Sequence, residues 1–190
     1  MASYRAERIA ILHSSVDGFT QSVCERLQAQ FARHGHRTLL LPIDDALQRL
    51  AAQDLQRFDR MLIGASIRYG RHRHSVQSFI TRHQALLQSR PGALFSVNLV
   101  ARKPGKDTPD GNPYMRKLLR DIAWKPDLAA VFAGCLDYAR YGPFDRQMIR
   151  LIMWLTGGPT HSAQPIVFTD WQRVHAFGEA FLTLPAKDRA

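Results

Sequence analysis

The sequence predicts an α/β fold: a doubly wound, five-stranded parallel sheet in the order 2-1-3-4-5. One observation behind this is alternation. Short apolar runs at Ile9–Leu12, Thr38–Leu41, Met61–Ala65, Ala93–Val97, Ala129–Cys135 and Ile166–Phe168 are separated by helical patterns beginning near Thr20, Ser75, Pro113, Phe144 and Trp171. A weaker helical pattern lies between Ile43 and Leu55. Strands covered on both faces read as continuous apolar runs, and parallel neighbours need helical crossovers. The other observation is a polar loop, Ser14-Ser15-Val16-Asp17-Gly18-Phe19-Thr20, placed between the first strand and the first helix.

Taken in order, Ile9-Ala10-Ile11-Leu12 is a buried strand, and Val23, Cys24, Leu27 and Phe31 recur at helical spacing until Gly35 stops the helix. The loop between them brings unpaired N–H groups, the positive end of a helix dipole and the hydroxyls of Ser14, Ser15 and Thr20 into one small volume, where Gly18 allows close approach. A phosphate suits that volume; a plain polar loop capped by Thr20 is the simpler alternative. No Lys follows the loop and the spacing is not that of a Walker loop, so a monophosphate fits better than a nucleoside triphosphate. In a sheet of this order ligands bind beyond the carboxyl ends of the strands where the order reverses. The loops after strands 1, 3 and 4 therefore share a site: Ser14–Thr20, Ser66–Gly70 and Asn98–Lys103.

With 190 residues, 45% of them hydrophobic, and neither repeats nor linkers, the chain is read as one domain spanning 1–190. No apolar stretch reaches the roughly 20 residues of a membrane span, and Met1 to Arg8 do not form a signal peptide, so a cytosolic location or a membrane's cytosolic face is expected. Net charge is +10, and from Arg60 to Lys106 there is no Asp or Glu, which reads as a one-signed surface attractive to polyanions. Nucleic acid is not expected, since no helix-turn-helix, RNP-like pair or zinc spacing is present. Cys24 and Cys135 are expected as small core residues without a disulfide. His72, His74 and His83 are expected on surface or helix positions, with no metal.

The strings Ile63-Gly64-Ala65-Ser66-Ile67-Arg68-Tyr69-Gly70, Phe95-Ser96-Val97-Asn98-Leu99-Val100-Ala101-Arg102-Lys103-Pro104 and Ile149-Arg150-Leu151-Ile152-Met153, followed by Gly157-Gly158 and Thr169-Asp170-Trp171, resemble the flavodoxin-like, quinone-dependent protoporphyrinogen IX dehydrogenases of bacterial haem biosynthesis. The likeness runs from about Ile9 to Phe181. It implies FMN, a flavodoxin-like fold with an insertion (136–165) interrupting strand 5, and oxidation of protoporphyrinogen IX to protoporphyrin IX. Electrons would pass to menaquinone or ubiquinone. Ser15 stands where flavodoxins usually show Thr, and Val16 and Phe19 are more apolar than is typical. A flavodoxin-type electron carrier or an NAD(P)H:quinone oxidoreductase is the alternative reading.

For FMN the first loop supplies phosphate donors, Ser66, Ile67, Arg68 and Tyr69 a packing surface and backbone groups, and Ser96, Val97 and Asn98 hydrogen bonds to the pyrimidine edge. An ordinary loop aromatic and an ordinary turn residue are the simpler readings of Tyr69 and Asn98. Six electrons leave the substrate in three two-electron steps with flavin N5 as hydride acceptor, and no side chain is assigned as catalytic. Arg68, Arg102 and Lys103 are the candidates for the substrate carboxylates, with Arg71 and Arg73 as an outer funnel. Asp170 is read as a helix cap.

The segment Phe144–Thr156 is too short to span a bilayer yet broadly apolar. Met148, Leu151, Ile152, Trp154 and Leu155 are expected to rest on an anionic membrane surface, with Arg146 and Arg150 on the other side of the helix. The expected place is peripheral, on the cytoplasmic face of the bacterial inner membrane. Packing within the domain or in a homo-oligomer is the alternative.

Overall fold

A computed structural model of the chain describes residues 6–155, 157–162 and 164–187; Thr156, and the side chain of Leu155, lie outside what it describes. Strands β1 (Arg8–Ser14) and β2 (Arg37–Pro42) flank helix α1 (Phe19–Arg33), and α2 (Ile43–Arg49) and α3 (Ala52–Leu55) lead into β3 (Arg60–Arg68). After β4 (Arg71–His72) come α4 (His74–Arg82), α5 (Gln84–Gln88), β5 (Gly92–Val97), α6 (Pro113–Asp121) and β6 (Leu128–Phe132). The chain then forms β7 (Cys135–Leu136), α7 (Pro143–Leu155), β8 (Ile166–Val167) and α8 (Trp171–Leu182).

The main sheet runs β2-β1-β3-β5-β6, every pair parallel, which is the expected 2-1-3-4-5 order. Strand periodicity divides the core between its two faces. Ile9 and Ile11 meet Val23, Leu27 and Phe31 of α1 and Phe177 and Phe181 of α8. Ala10 and Leu12 meet Ile43, Val76, Phe79, Met115, Leu118 and Trp124 on the opposite side. Each large side chain so buried contributes about 1.5–3 kcal/mol. At Gly64, in the central strand, a Cβ would lie 2.4 Å from Phe95 Cζ, so close packing leaves room for glycine alone.

The helix starts follow from capping. Asn112 accepts from the Tyr114 and Met115 N–H groups with Pro113 next in line, and Asp170 accepts from those of Gln172 and Arg173, as expected for Asp170. Cys24 is buried, Cys135 half-buried, and both are free thiols.

Three expectations need correction. After Arg68 the chain turns through Tyr69 (φ +49°) and Gly70 (φ +75°), and β4 returns antiparallel to β3 as a tight hairpin. The run expected as one strand to Cys135 leaves the sheet after Phe132; β7 pairs antiparallel with β8, so the chain returning from the insertion does not rejoin the main sheet. The acid-free stretch is also no one-signed surface. Arg60 is buried against Glu7, Arg73 lies 3.2 Å from Asp44, and Arg90 and His83 are buried. Carboxylates distant in sequence neutralise what a linear count leaves bare.

The insertion carries a small apolar cluster, Leu136, Tyr138, Tyr141 and Met153, with Ile149, Ile166, Phe168 and, from the third loop, Leu99 packed against it. It sits over the carboxyl ends of the sheet strands.

Candidate active site

A cleft of about 230 Å³ opens where the strand order reverses. All three predicted loops reach it, joined by Tyr114, Tyr141 and the α7 residues Asp145, Met148, Ile149, Ile152 and Met153. At the first loop, Gly18 adopts φ +81° and serves as the N-cap of α1 without any side-chain cap. A residue with a Cβ is strained in that conformation. The Phe19 and Thr20 N–H groups precede the first intrahelical bond, from the Ser22 N–H to the Gly18 carbonyl. Thr20 is buried and lines the cleft, while Val16 is exposed and Phe19 leans on Trp171 with ring centroids 5.9 Å apart.

The hydroxyls of Ser14, Ser15 and Ser66 are buried and have no hydrogen-bond partner among the described residues. Ser15 and Ser66 line the cleft, while Ser14, the last residue of β1, lies buried behind it. An unmatched buried polar atom costs roughly 1–3 kcal/mol, so the two hydroxyls at the cleft form a donor set suited to a polar ligand. Hydroxyls, helix N–H groups ahead of the first intrahelical bond and a largely apolar cleft are what a phosphate-bearing flavin requires, and the residues fit it.

Arg68 is the main reassignment. Its Nη1 donates to Asp17 Oδ1 at 2.9 Å, its Nη2 to Asp145 Oδ2, and its guanidinium lies over the Tyr69 ring at 5.2 Å. The Tyr69 hydroxyl donates to Asp145 Oδ1 at 2.7 Å. Burial works against the Arg68 charge, but the bond with Tyr69 and the two carboxylates hold its pKa above the usual arginine value. Already matched by two carboxylates, Arg68 is a brace between the first loop, the hairpin and α7, and not an open carboxylate clamp.

In the third loop Val97 and Asn98 line the cleft, but Ser96 lies wholly buried behind it. Ser96 Oγ is bonded by Asn98 Nδ2 at 3.2 Å and lies 2.9 Å from His72 Nε2. The Asn98 carboxamide oxygen accepts from the Ala101 N–H and from Asn112 Nδ2. These two side chains therefore shape the loop from within. His72, expected on a surface or helix position, is half-buried in β4, and desolvation lowers its pKa to about 4.

Arg102 and Lys103 both line the cleft. Arg102 Nη1 donates to the Leu99 carbonyl at 2.9 Å, and Lys103 has no carboxylate within ion-pairing distance among the described residues. Tyr141 went unnoticed in the sequence; burial pushes its phenol up to about 12, so it stays protonated at neutral pH. Tyr114 was missed as well, though its position just after the Asn112-Pro113 helix start is a usable signal.

Helix α7 divides its apolar residues. Met148 and Met153 turn to the cleft, Ile152 borders it while 45% exposed, and Phe144, Leu151 and Trp154 are exposed at 72%, 55% and 69%. Arg146 donates to the carbonyls of Tyr138 and Tyr141 and Arg150 is half-buried near the Tyr138 ring, so both are engaged within the insertion. No helix among the described residues is long and apolar enough to cross a membrane.

A flavodoxin domain model matches residues 10–163. The chain is 41% identical over 177 residues to protoporphyrinogen IX dehydrogenase [quinone] of Escherichia coli (strain K12), covering 93% of this chain and 96% of that protein. The chain belongs to the protoporphyrinogen IX dehydrogenase [quinone] family. The Leishmania major member is 39% identical over 186 residues, covering 97% of this chain and 78% of its own length. Among solved structures, oxidised flavodoxin 2 of Bacillus cereus superposes with a TM-score of 0.55 at 14% identity over 92% of this chain and 97% of that one. Oxidised flavodoxin 1 of that organism gives 0.53 at 12% identity over 94% and 99%. These two show the fold, and the flavodoxin domain makes this family member a flavin-binding protein.

Proposed function

We propose that this chain oxidises protoporphyrinogen IX to protoporphyrin IX with FMN as cofactor and passes the electrons to menaquinone or ubiquinone at the cytoplasmic face of the inner membrane. The observation that carries the proposal is near-full-length identity of 41% to a protein of that activity, joined to a cleft whose unmatched hydroxyls suit a flavin phosphate. When bound, the flavin supplies a two-electron acceptor, so a six-electron oxidation takes three rounds.

The residues divide the remaining work. Ser14, Ser15, Thr20 and the first N–H groups of α1 hold the phosphate. The Ser66–Tyr69 hairpin and the backbone of Val97 and Asn98 border the ring. Arg68 fixes the relative position of those loops through Asp17 and Asp145. Arg102 and Lys103, at the cleft rim, attract the substrate carboxylates. Met148, Ile149 and Ile152 exclude water from the apolar side.

The outward face of α7, with Phe144, Leu151 and Trp154, supports peripheral attachment beside a lipid-borne acceptor. An anaerobic assay following porphyrin fluorescence, with and without added quinone, tests the activity. Porphyrin formation that depends on quinone is expected. A flavin-loaded protein that forms none with any quinone refutes the assignment. For attachment, the Leu151→Asp, Trp154→Asp variant should no longer float with anionic liposomes while keeping its flavin and its turnover with a soluble acceptor.

A further inference from the structure

The first loop carries a carboxylate, Asp17, in the middle of what should be an anion-binding segment. Two arginines from outside the loop offset it. Arg68 takes the side chain, with Nη1 at 2.9 Å from Oδ1. Arg140, 123 positions along the chain, takes the backbone: its Nη1 donates to the Asp17 carbonyl at 2.7 Å. The same atom lies 3.3 Å from where a Cβ on Gly18 would stand, so the guanidinium rests directly against the N-cap of α1. Arg140 Nε lies 3.2 Å from Asp137 Oδ2 within its own segment, which orients the fork. A guanidinium has five N–H donors, and these contacts leave three. Earlier in the same loop, Ser14 is 1% exposed and its hydroxyl, like that of Ser15, is buried without a partner among the described residues.

We propose that Arg140 is an anion anchor delivered by the insertion: with the first loop, it binds the terminal phosphate of the flavin cofactor. The proposal rests on the flavin reading of the site and assigns to the insertion a role in loading cofactor. The loop supplies neutral donors and the insertion supplies the charge, so phosphate binding and closure of the insertion over the sheet favour one another. By reciprocity, the phosphate should hold the insertion in place as firmly as the insertion holds the phosphate.

The test is titration of the flavin-stripped full chain with FMN and, separately, with riboflavin, which lacks the phosphate, followed by quenching of flavin fluorescence. Arg140→Gln should weaken FMN about tenfold to a hundredfold, the range of one charge-assisted hydrogen bond, and leave riboflavin unchanged. Arg140→Lys should restore part of the loss, and FMN should slow proteolysis of the insertion in the parent chain but not in Arg140→Gln. FMN affinity within twofold of the parent value, or equal weakening of FMN and riboflavin, overturns the proposal by making Arg140 merely structural. Should the parent chain take neither flavin, the flavin reading itself fails, and this proposal with it.

Discussion

Lowering the pH should unfasten the hairpin that borders the cleft, with His72 as the group responsible. Its ring is half-buried in β4, 2.9 Å from Ser96 Oγ, and desolvation brings its pKa from 6.5 to about 4. Between those values the unfolded chain binds more protons than the folded one, so this contribution is fully present above pH 6.5 and is lost as the pH falls toward 4. The gap is worth about 3 kcal/mol at its limit, of which about 2 kcal/mol is gone by pH 5. His13, His36 and His83 are lowered in the same direction, chiefly by burial, and add to the trend. His72→Gln removes the titration while leaving an amide near the Ser96 hydroxyl. Urea unfolding at pH 7.5 and pH 5 measures the effect: at about 2 kcal/mol per molar, the parent midpoint should fall by about 1 M more than that of the variant. Equal losses in the two proteins would refute the assignment to His72.

Thr20→Val should weaken FMN by about tenfold or more with an unchanged melting temperature, and Gly18→Val should do so more severely because of its φ of +81°. Flavin retained at limiting FMN in both would move the phosphate site elsewhere. The Arg102→Ala, Lys103→Ala pair should raise KM for the tetrapyrrole several-fold and flatten its salt dependence at normal flavin content, checked by initial rates across ionic strength. Asp145→Asn takes one carboxylate from the half-buried Arg68 and should loosen the insertion by roughly 1–2 kcal/mol after allowing for solvent screening. Hydrogen exchange should then quicken in 136–155 while sheet amides keep their protection. Gly64→Ala should cost about 1–3 kcal/mol through the Phe95 clash, read as a lower urea midpoint.

What was legible in the sequence is what depends on local pattern. The apolar runs located all five sheet strands, because strands covered on both faces leave a plain signature, and the hydroxyl loop does reach the cleft where the strand order reverses. The hairpin at Tyr69 was missed because a non-glycine residue takes positive φ there, against the usual turn rule. The role of Arg68 was misread because Asp17 and Asp145 lie 51 and 77 positions away, and pairing at that range leaves no mark in a linear charge count. Ser96 and His72 were misplaced for the same reason: their partnership is made by the return of β4.

The insertion packs its cluster of Tyr138, Tyr141 and Met153 against Leu99 and Phe168 and is fastened over the first loop and hairpin by side-chain bonds from Arg68, Tyr69 and Arg140; among the described residues no strand ladder joins it to the main sheet. Such a unit opens at a free energy well below that of the whole domain. On the proposed activity this sets a clock. A substrate needing three rounds of oxidation is finished in one visit only if the cover stays shut longer than the interval between rounds; otherwise half-oxidised macrocycles escape. Processivity, and with it the amount of reactive intermediate released, is then governed by these polar bonds and the packing of Leu99 and Phe168 at the edge of the fold, and is adjustable without touching the sheet.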